Sequence, residues 1–156
     1  MKYTILLPIL AGTVFGQTLP LIPKPKSIQP QDGTFAFSAA TAIRFDKKLS
    51  VEAELLSSQF NRLTGQKAKA VAEELRINLP SEVSLDIDES LPLKVGGYQL
   101  NITPKAVKII GKDAAGAFWG MQTLLQLLPA QFPMKQASAV IPAMTIADDT
   151  FSLSRI

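Results

Sequence analysis

Tyr98-Gln99-Leu100-Asn101-Ile102-Thr103-Pro104-Lys105-Ala106-Val107-Lys108-Ile109-Ile110-Gly111 is followed, after Lys112-Asp113, by Ala114-Ala115-Gly116-Ala117-Phe118-Trp119-Gly120-Met121-Gln122-Thr123-Leu124-Leu125-Gln126-Leu127-Leu128-Pro129. The first half alternates apolar and polar residues on either side of Pro104-Lys105 and is closed by Gly111. That pattern reads as two strands in a hairpin. In the second half the apolar period changes to that of a helix. Asp113 is a suitable N-cap, and Pro129 cannot continue the helix, so a helix is expected from about Ala114 to Leu128. Ala117, Met121, Leu124, Leu125 and Leu128 fall on its apolar face. Gly116 and Gly120 lie one turn apart, at a cost of roughly 1 kcal/mol each in helix propensity. A close approach of the helix backbone to a sheet would explain them. A membrane dimer motif would need a longer apolar span.

Working towards the N-terminus, Ser50 to Leu63 reads as another amphipathic helix. Ser50 is its expected N-cap, Glu52 and Glu54 favour the helix start, and Gly65 suits a left-handed C-cap. Leu55, Leu56, Phe60 and Leu63 share its apolar face. Ser27-Ile28-Gln29 and Thr34-Phe35-Ala36-Phe37 flank Asp32-Gly33, which signals a hairpin. Ala42 to Phe45 and Leu75 to Leu79 alternate as strands. Val83 to Leu93 is ambiguous: Leu85 to Asp88 alternates, but the stretch is acidic and carries Pro92. Ala139 to Ile141 and Ala143 to Ile146 form a last extended stretch across Pro142. The strand-pair-then-helix order occurs twice without an exact repeat. The expected class is α+β, a mainly antiparallel or mixed sheet with two amphipathic helices packed on one face.

Composition narrows the chemistry. The 156 residues are 47% hydrophobic and 19% charged, enough for one domain with a real core. The net charge of +3 is spread over scattered lysines, so a nucleic-acid partner is not expected. The sequence has no cysteine, which removes disulfides, thiolate nucleophiles and cysteine-bound metals. It also has no histidine, the commonest general base at neutral pH and the commonest metal ligand. No cofactor is expected. Lys2 followed by the apolar run Tyr3 to Val14 fits a signal peptide, whose apolar core spans ~7–15 residues. It is too short for a membrane span, and Val14-Phe15-Gly16 supports cleavage before Gln17. Export to a bacterial periplasm, cell surface or medium is therefore expected. The Pro-rich Leu19-Pro20-Leu21-Ile22-Pro23-Lys24-Pro25 then reads as an extended lead-in.

The block from Gly97 to Leu128 resembles the N-terminal domain of glycoside hydrolase family 20. Those domains carry a Gly-x-Tyr-x-Leu strand, a second strand, and a helix reading Gly-(small)-x-x-Gly-x-Gln-Thr-Leu-x-Gln-Leu. The lead-in Leu21-Ile22-Pro23-Lys24-Pro25 is similar to their start, and the resemblance runs from about Leu19 to Asp148. It implies a non-catalytic α+β domain preceding a (β/α)₈ barrel. In this family the barrel removes terminal β-linked N-acetylglucosamine or N-acetylgalactosamine by substrate-assisted retention. An Asp orients the attacking acetamido group and a Glu is the acid/base. The motif carrying that pair, Gly-Gly-Asp-Glu with a nearby His, does not occur here, since Gly96-Gly97 is followed by Tyr98-Gln99. A barrel takes about 250 residues. The family's barrel opens with Ile-x-Asp-x-Pro-Arg-Phe-x-Trp-Arg-Gly. Ile146 and Asp148 match it, Thr150 replaces the Pro, and the Trp is lost. By this resemblance Arg155 would stand, at a shifted spacing, for the arginine that grips the terminal sugar's hydroxyls, but an ordinary solvated arginine explains it as well. The expected organisation is a signal peptide over 1–16, the α+β domain over 17–148 and the start of a barrel over 149–156.

Other candidate groups have ordinary explanations. Asp86 and Asp88 would share one face of a strand, which suits a hard cation or an acid/base pair, but a solvated strand edge explains them as well. Asp148-Asp149 reads as a domain junction. Asn101-Ile102-Thr103 is a glycosylation sequon inside an expected strand. Phe118 and Trp119 suit a sugar-stacking platform, yet on a core-packing helix burial is the expectation. Two functional readings fit the sequence. One is the N-terminal module of an exported β-N-acetylhexosaminidase, partnered by its catalytic barrel and, through that barrel, by N-acetylhexosamine glycans. The alternative is a stand-alone carbohydrate-binding or assembly module, or an inactive truncated product.

Overall fold

The computed structural model describes Leu19 and residues 21–38, 40–64, 68–72, 81–128 and 139–149. Its strands are β1 (Ser27–Phe37), β2 (Thr41–Phe45), β3 (Lys69–Ala72), β4 (Ser81–Ile87), β5 (Tyr98–Ile102), β6 (Ala106–Gly111) and β7 (Ala139–Asp148). Helix α1 spans Ser50–Thr64 and α2 spans Ala114–Leu127. The strands form one sheet in the order β1-β7-β5-β6-β4-β2-β3. The β1-β7-β5-β6 half is antiparallel, and the β6-β4-β2-β3 half is parallel. The sheet is therefore mixed, and the class is α+β, as the alternating periods required.

Parallel neighbours need a crossover, and helix α1 supplies the one from β2 to β3. Helix α2 connects β6 to β7, which β5 separates in the sheet. Both helices cover the same face. Phe37, Ile43 and Val83 of the sheet meet Leu56 and Phe60 of α1 and Leu124 and Leu128 of α2 around one internal void of about 10 Å³. That volume is at the lower limit for a single water, and its walls are almost wholly apolar. The interior is thus packed shut and offers no ligand cavity there.

The hairpin, α2 and the final strand lie where the sequence puts them. Three expectations differ from the structure, and strand β3 was not expected at all. Asp32-Gly33 does not turn a hairpin. Ser27 to Phe37 is one edge strand, both halves of which pair with β7, with a register irregularity between Pro30 and Thr34. Three β1 residues there oppose one on β7, and Gly33 takes a φ of +98°, which only glycine tolerates easily. The long β7 competes successfully for both halves of the segment. Ser50 is not an N-cap either. A 3-10 turn over Lys47–Leu49 runs into α1, Ser50 is already helical, and the capping side chain is that of Asp46, which accepts from the Lys48 amide. The ambiguous acidic stretch begins as strand β4, and β4 lies inside the sheet between β6 and β2. It is not a sheet edge. Strand β3 carries no clear period in the sequence. Leu75 to Leu79, Gly65 and Pro129 lie outside the described residues, as does the side chain of Leu63.

Helix α2 approaches β5 and β6 unusually closely. A Cβ at Gly116 would overlap the Gly97 carbonyl oxygen, and one at Gly111 would overlap the backbone of Ala117 and Asp113. A Cβ at Gly120 would lie 2.7 Å from Ile109 Cγ2 and 3.0 Å from the Tyr98 ring. Helix propensity alone would make Gly→Ala stabilising by about 1 kcal/mol at either position. Overpacking, at about 1–3 kcal/mol or more, opposes that gain. At 116 the obstacle is backbone, which cannot rotate away, whereas at 120 it is side chains. Gly116→Ala should therefore destabilise the chain by more than Gly120→Ala in urea unfolding, with a net loss at 116.

Candidate functional site

A set of polar contacts lies where the start of α2, the start of β5, the end of β7 and the lead-in before β1 converge. Asp113 organises it. One carboxylate oxygen accepts the Gly116 amide at 2.8 Å, capping α2, and the other accepts the Gly96 amide at 2.9 Å. The Lys112 amide donates to the Gly97 carbonyl, and the Gly97 amide donates to that of Lys94. Gly96 has a φ of +81°, and Gly97 has no room for a side chain between Leu93, Lys94 and Asp149. The Gly96-Gly97 pair thus builds a tight loop against the helix. Lys112 holds the rest of that loop by donating to the carbonyls of Glu89 and Leu91.

Tyr98 follows directly. Its ring is fully buried beneath α2, and its hydroxyl meets that of Thr123 at 2.6 Å. Burial pushes the Tyr98 pKa up to about 12; the Thr123 contact works against this and the nearby Asp148 carboxylate adds to it. Asp148 is 1% exposed and lies opposite Tyr98 in the ladder, and Asp149 is 9% exposed. The Lys26 amide donates to Asp148 Oδ1 at 3.4 Å, and its ammonium lies 3.2 Å from Asp149 Oδ1. These carboxylates are engaged by donors of Lys26, and they join the end of β7 to the lead-in before β1.

The other candidates disperse. Asp86 lies in β4 and accepts from Ser84 at 3.1 Å. Asp88 lies past the end of the strand in a turn, where the Ser90 hydroxyl and amide hold its carboxyl below the usual range. The two are not a pair, and among the described residues no group of acidic side chains could hold a metal ion. Asn101 is exposed on β5, and its Oδ1 accepts from Thr145 at 3.2 Å. Arg155 and residues 1–18 lie outside the described residues. No helix among the described residues is long and apolar enough to cross a membrane.

Phe118 and Trp119 depart from the expected burial. They pack edge-to-face, with ring centroids 5.2 Å apart, and both are only half-buried. With Ile22, Pro23, Gln122, Thr123 and Gln126 they line an open groove between α2 and the lead-in. The Ile22 amide donates to Gln126 Oε1 at 2.9 Å, which holds the lead-in over the helix. Sequence reasoning missed the groove because residue spacing defines the inner face of α2 and cannot show how wide the covered arc is.

The raised Tyr98 pKa has a testable consequence. A folded pKa above the unfolded value of 10 means that the neutral phenol's contribution is complete below about pH 10. It is lost as pH rises towards about 12. Tyr98→Phe should cost about 1 kcal/mol at neutral pH through the lost hydrogen bond. The gap between the two proteins, read from urea unfolding, should narrow above pH 10.

Comparison with known proteins identifies the architecture. The family model described as glycosyl hydrolase family 20, domain 2, matches residues 18–149. A β-hexosaminidase of Porphyromonas gingivalis is 38% identical over 132 residues, covering 81% of this chain and 16% of the relative. A lacto-N-biosidase of Bifidobacterium bifidum is 28% identical over 120 residues, 74% of this chain and 10% of the relative. Among solved structures, the β-N-acetylhexosaminidase of Streptomyces coelicolor superposes with a TM-score of 0.69 at 26% identity, covering 80% of this chain and 25% of that one. The chain thus spans a quarter or less of the length of these relatives.

Proposed function

The chain belongs to glycoside hydrolase family 20 through its domain 2, and from that premise we propose that it is the exported, non-catalytic N-terminal module of a β-N-acetylhexosaminidase. Its task is to buttress the catalytic barrel that hydrolyses terminal β-linked N-acetylglucosamine or N-acetylgalactosamine. The match over residues 18–149 carries this reading, because the names of the matched relatives include β-hexosaminidases. The described geometry agrees with a scaffold. The void among Phe37, Ile43, Leu56, Phe60 and Leu124 is too small for a sugar, and the carboxylates of half-buried Asp113 and buried Asp148 and Asp149 bind backbone amides or Lys26. The sequence supplies neither histidine nor cysteine as a general base or nucleophile.

The purified chain should give no turnover of a chromogenic N-acetylglucosaminide. Turnover that a thiazoline inhibitor blocks would overturn the non-catalytic assignment. The half-covered Phe118–Trp119 pair favours a second reading, a carbohydrate-binding module, because aromatic rings stack on sugar faces. Calorimetric titration with chitooligosaccharides separates the two, with no heat of binding expected for a scaffold and a stoichiometry near one for a binding module.

Export rests on Lys2 and the apolar run Tyr3 to Val14. Protein recovered from the periplasm of an expressing bacterium should begin at Gln17. Retention of Met1 on a cytoplasmic product would remove the export assignment.

A further inference from the structure

The two edges of the described sheet are unlike. Strand β1 is interrupted by Pro30, by Gly33 and by a register irregularity between Pro30 and Thr34. Proline and bulges of this kind keep an edge from pairing with another chain. Strand β3 ends the sheet on the other side, with β2 as its one sheet neighbour. Its sequence, Lys69-Ala70-Val71-Ala72, has neither proline nor glycine, and its register with β2 is regular throughout. Lys69 is its one charge.

Helix α1 runs beside that edge. Glu54, Ser57, Ser58 and Asn61 recur at the spacing of one helix face, and with Lys69 and Ala70 they line an open trough between α1 and β3. Alanine and serine side chains are small, so a second backbone can come close. The serine hydroxyls are already engaged within the chain. Ser57 donates to the Ala68 carbonyl and Ser58 to that of Leu55, both at 2.8 Å. Covering this part of the trough therefore leaves no hydroxyl donor unpaired.

The charges select the partner. Helix α1 joins two parallel strands, so it runs opposite to β3. Glu54 lies near the start of α1 and hence towards the Ala72 end of β3, while Lys69 marks the other end. When two copies of β3 pair antiparallel about a two-fold axis, the start of each strand meets the end of the other. Each Lys69 then faces the partner's Glu54, and the same contact occurs twice. We propose that β3 and the Glu54–Asn61 face of α1 form a self-complementary edge through which two copies of this chain join their sheets. The new ladder hydrogen bonds attach the copies, and the paired charges set the direction of pairing.

Sedimentation velocity of the purified 156-residue chain at rising concentration tests this. A dimer should form as concentration increases. Glu54→Lys and Lys69→Glu each place like charges at both symmetric contacts and should weaken the dimer about tenfold or more. The double variant restores opposite charges and should recover it. Both side chains are exposed, so each variant should keep the melting temperature of the dilute native chain. Asp32→Lys, an equal change of charge on the β1 edge, should leave the dimer intact. A chain that stays monomeric, or a dimer that survives both single variants, would overturn the proposal. A dimer lost with Asp32→Lys, or one that the double variant does not recover, would overturn it as well.

Discussion

The close contact between α2 and the β5–β6 hairpin is the constraint on which the rest of the structure depends. With Gly116 against the Gly97 carbonyl and Gly111 against the start of α2, the helix lies nearer the sheet than side chains normally allow. The geometry of the N-terminal turn follows from that. The Asp113 carboxylate reaches both the helix and the preceding loop, and the backbone of the loop bonds to Lys112. Tyr98 then lies under the helix with its hydroxyl on Thr123, two turns along from Gly116. Moving the helix outward would break these contacts together. Dispersion and burial would fall at the same time as the polar contacts.

This contact also explains which parts of the fold were legible. Between Tyr98 and Leu128 the local and global requirements coincide. The strand period, the Asp113 cap, the glycine pair and the apolar stripe all describe the same packing. Elsewhere they diverge. Asp32-Gly33 carries the local signal of a hairpin, but β7 offers a longer ladder to both flanks, so the same residues become a bulge. Ser50 is a good cap by type, yet Asp46 starts the helical path one turn earlier. Strand β3 is only Lys69–Ala72, too short for a period to show, and it exists because β2 gives it a parallel partner. In each case a distant strand or an adjoining turn decided the outcome, and local residue pattern does not encode that choice.

The candidate site was legible in one respect and hidden in another. The lack of histidine and cysteine narrows the candidate polar groups to carboxylates, hydroxyls, amides and amines, and those are the groups found here. Tyr98-Gln99, in place of an Asp-Glu pair, distinguishes Gly96-Gly97 from the family's catalytic glycines. Residue order could not show the accessible arc of α2. Phe118 and Trp119 belong to the helix that packs the core, and their partial exposure depends on where the lead-in lies.

The buried acids at the end of β7 fit the same logic. Removing two carboxylates from water is costly, and a pair with a largely exposed lysine returns little net stability, about 0–1 kcal/mol for most such contacts. Apolar residues of similar size would contribute as much or more to folding. Asp148 and Asp149 do something apolar residues cannot: they specify direction. A carboxylate needs particular donors at particular angles, and here the Lys26 amide and ammonium meet two successive carboxylates at once. The end of β7, the lead-in before β1 and the glycine loop at the start of α2 are thereby held in one mutual arrangement. Polar contacts of low net energy but strict geometry are what a joint requires.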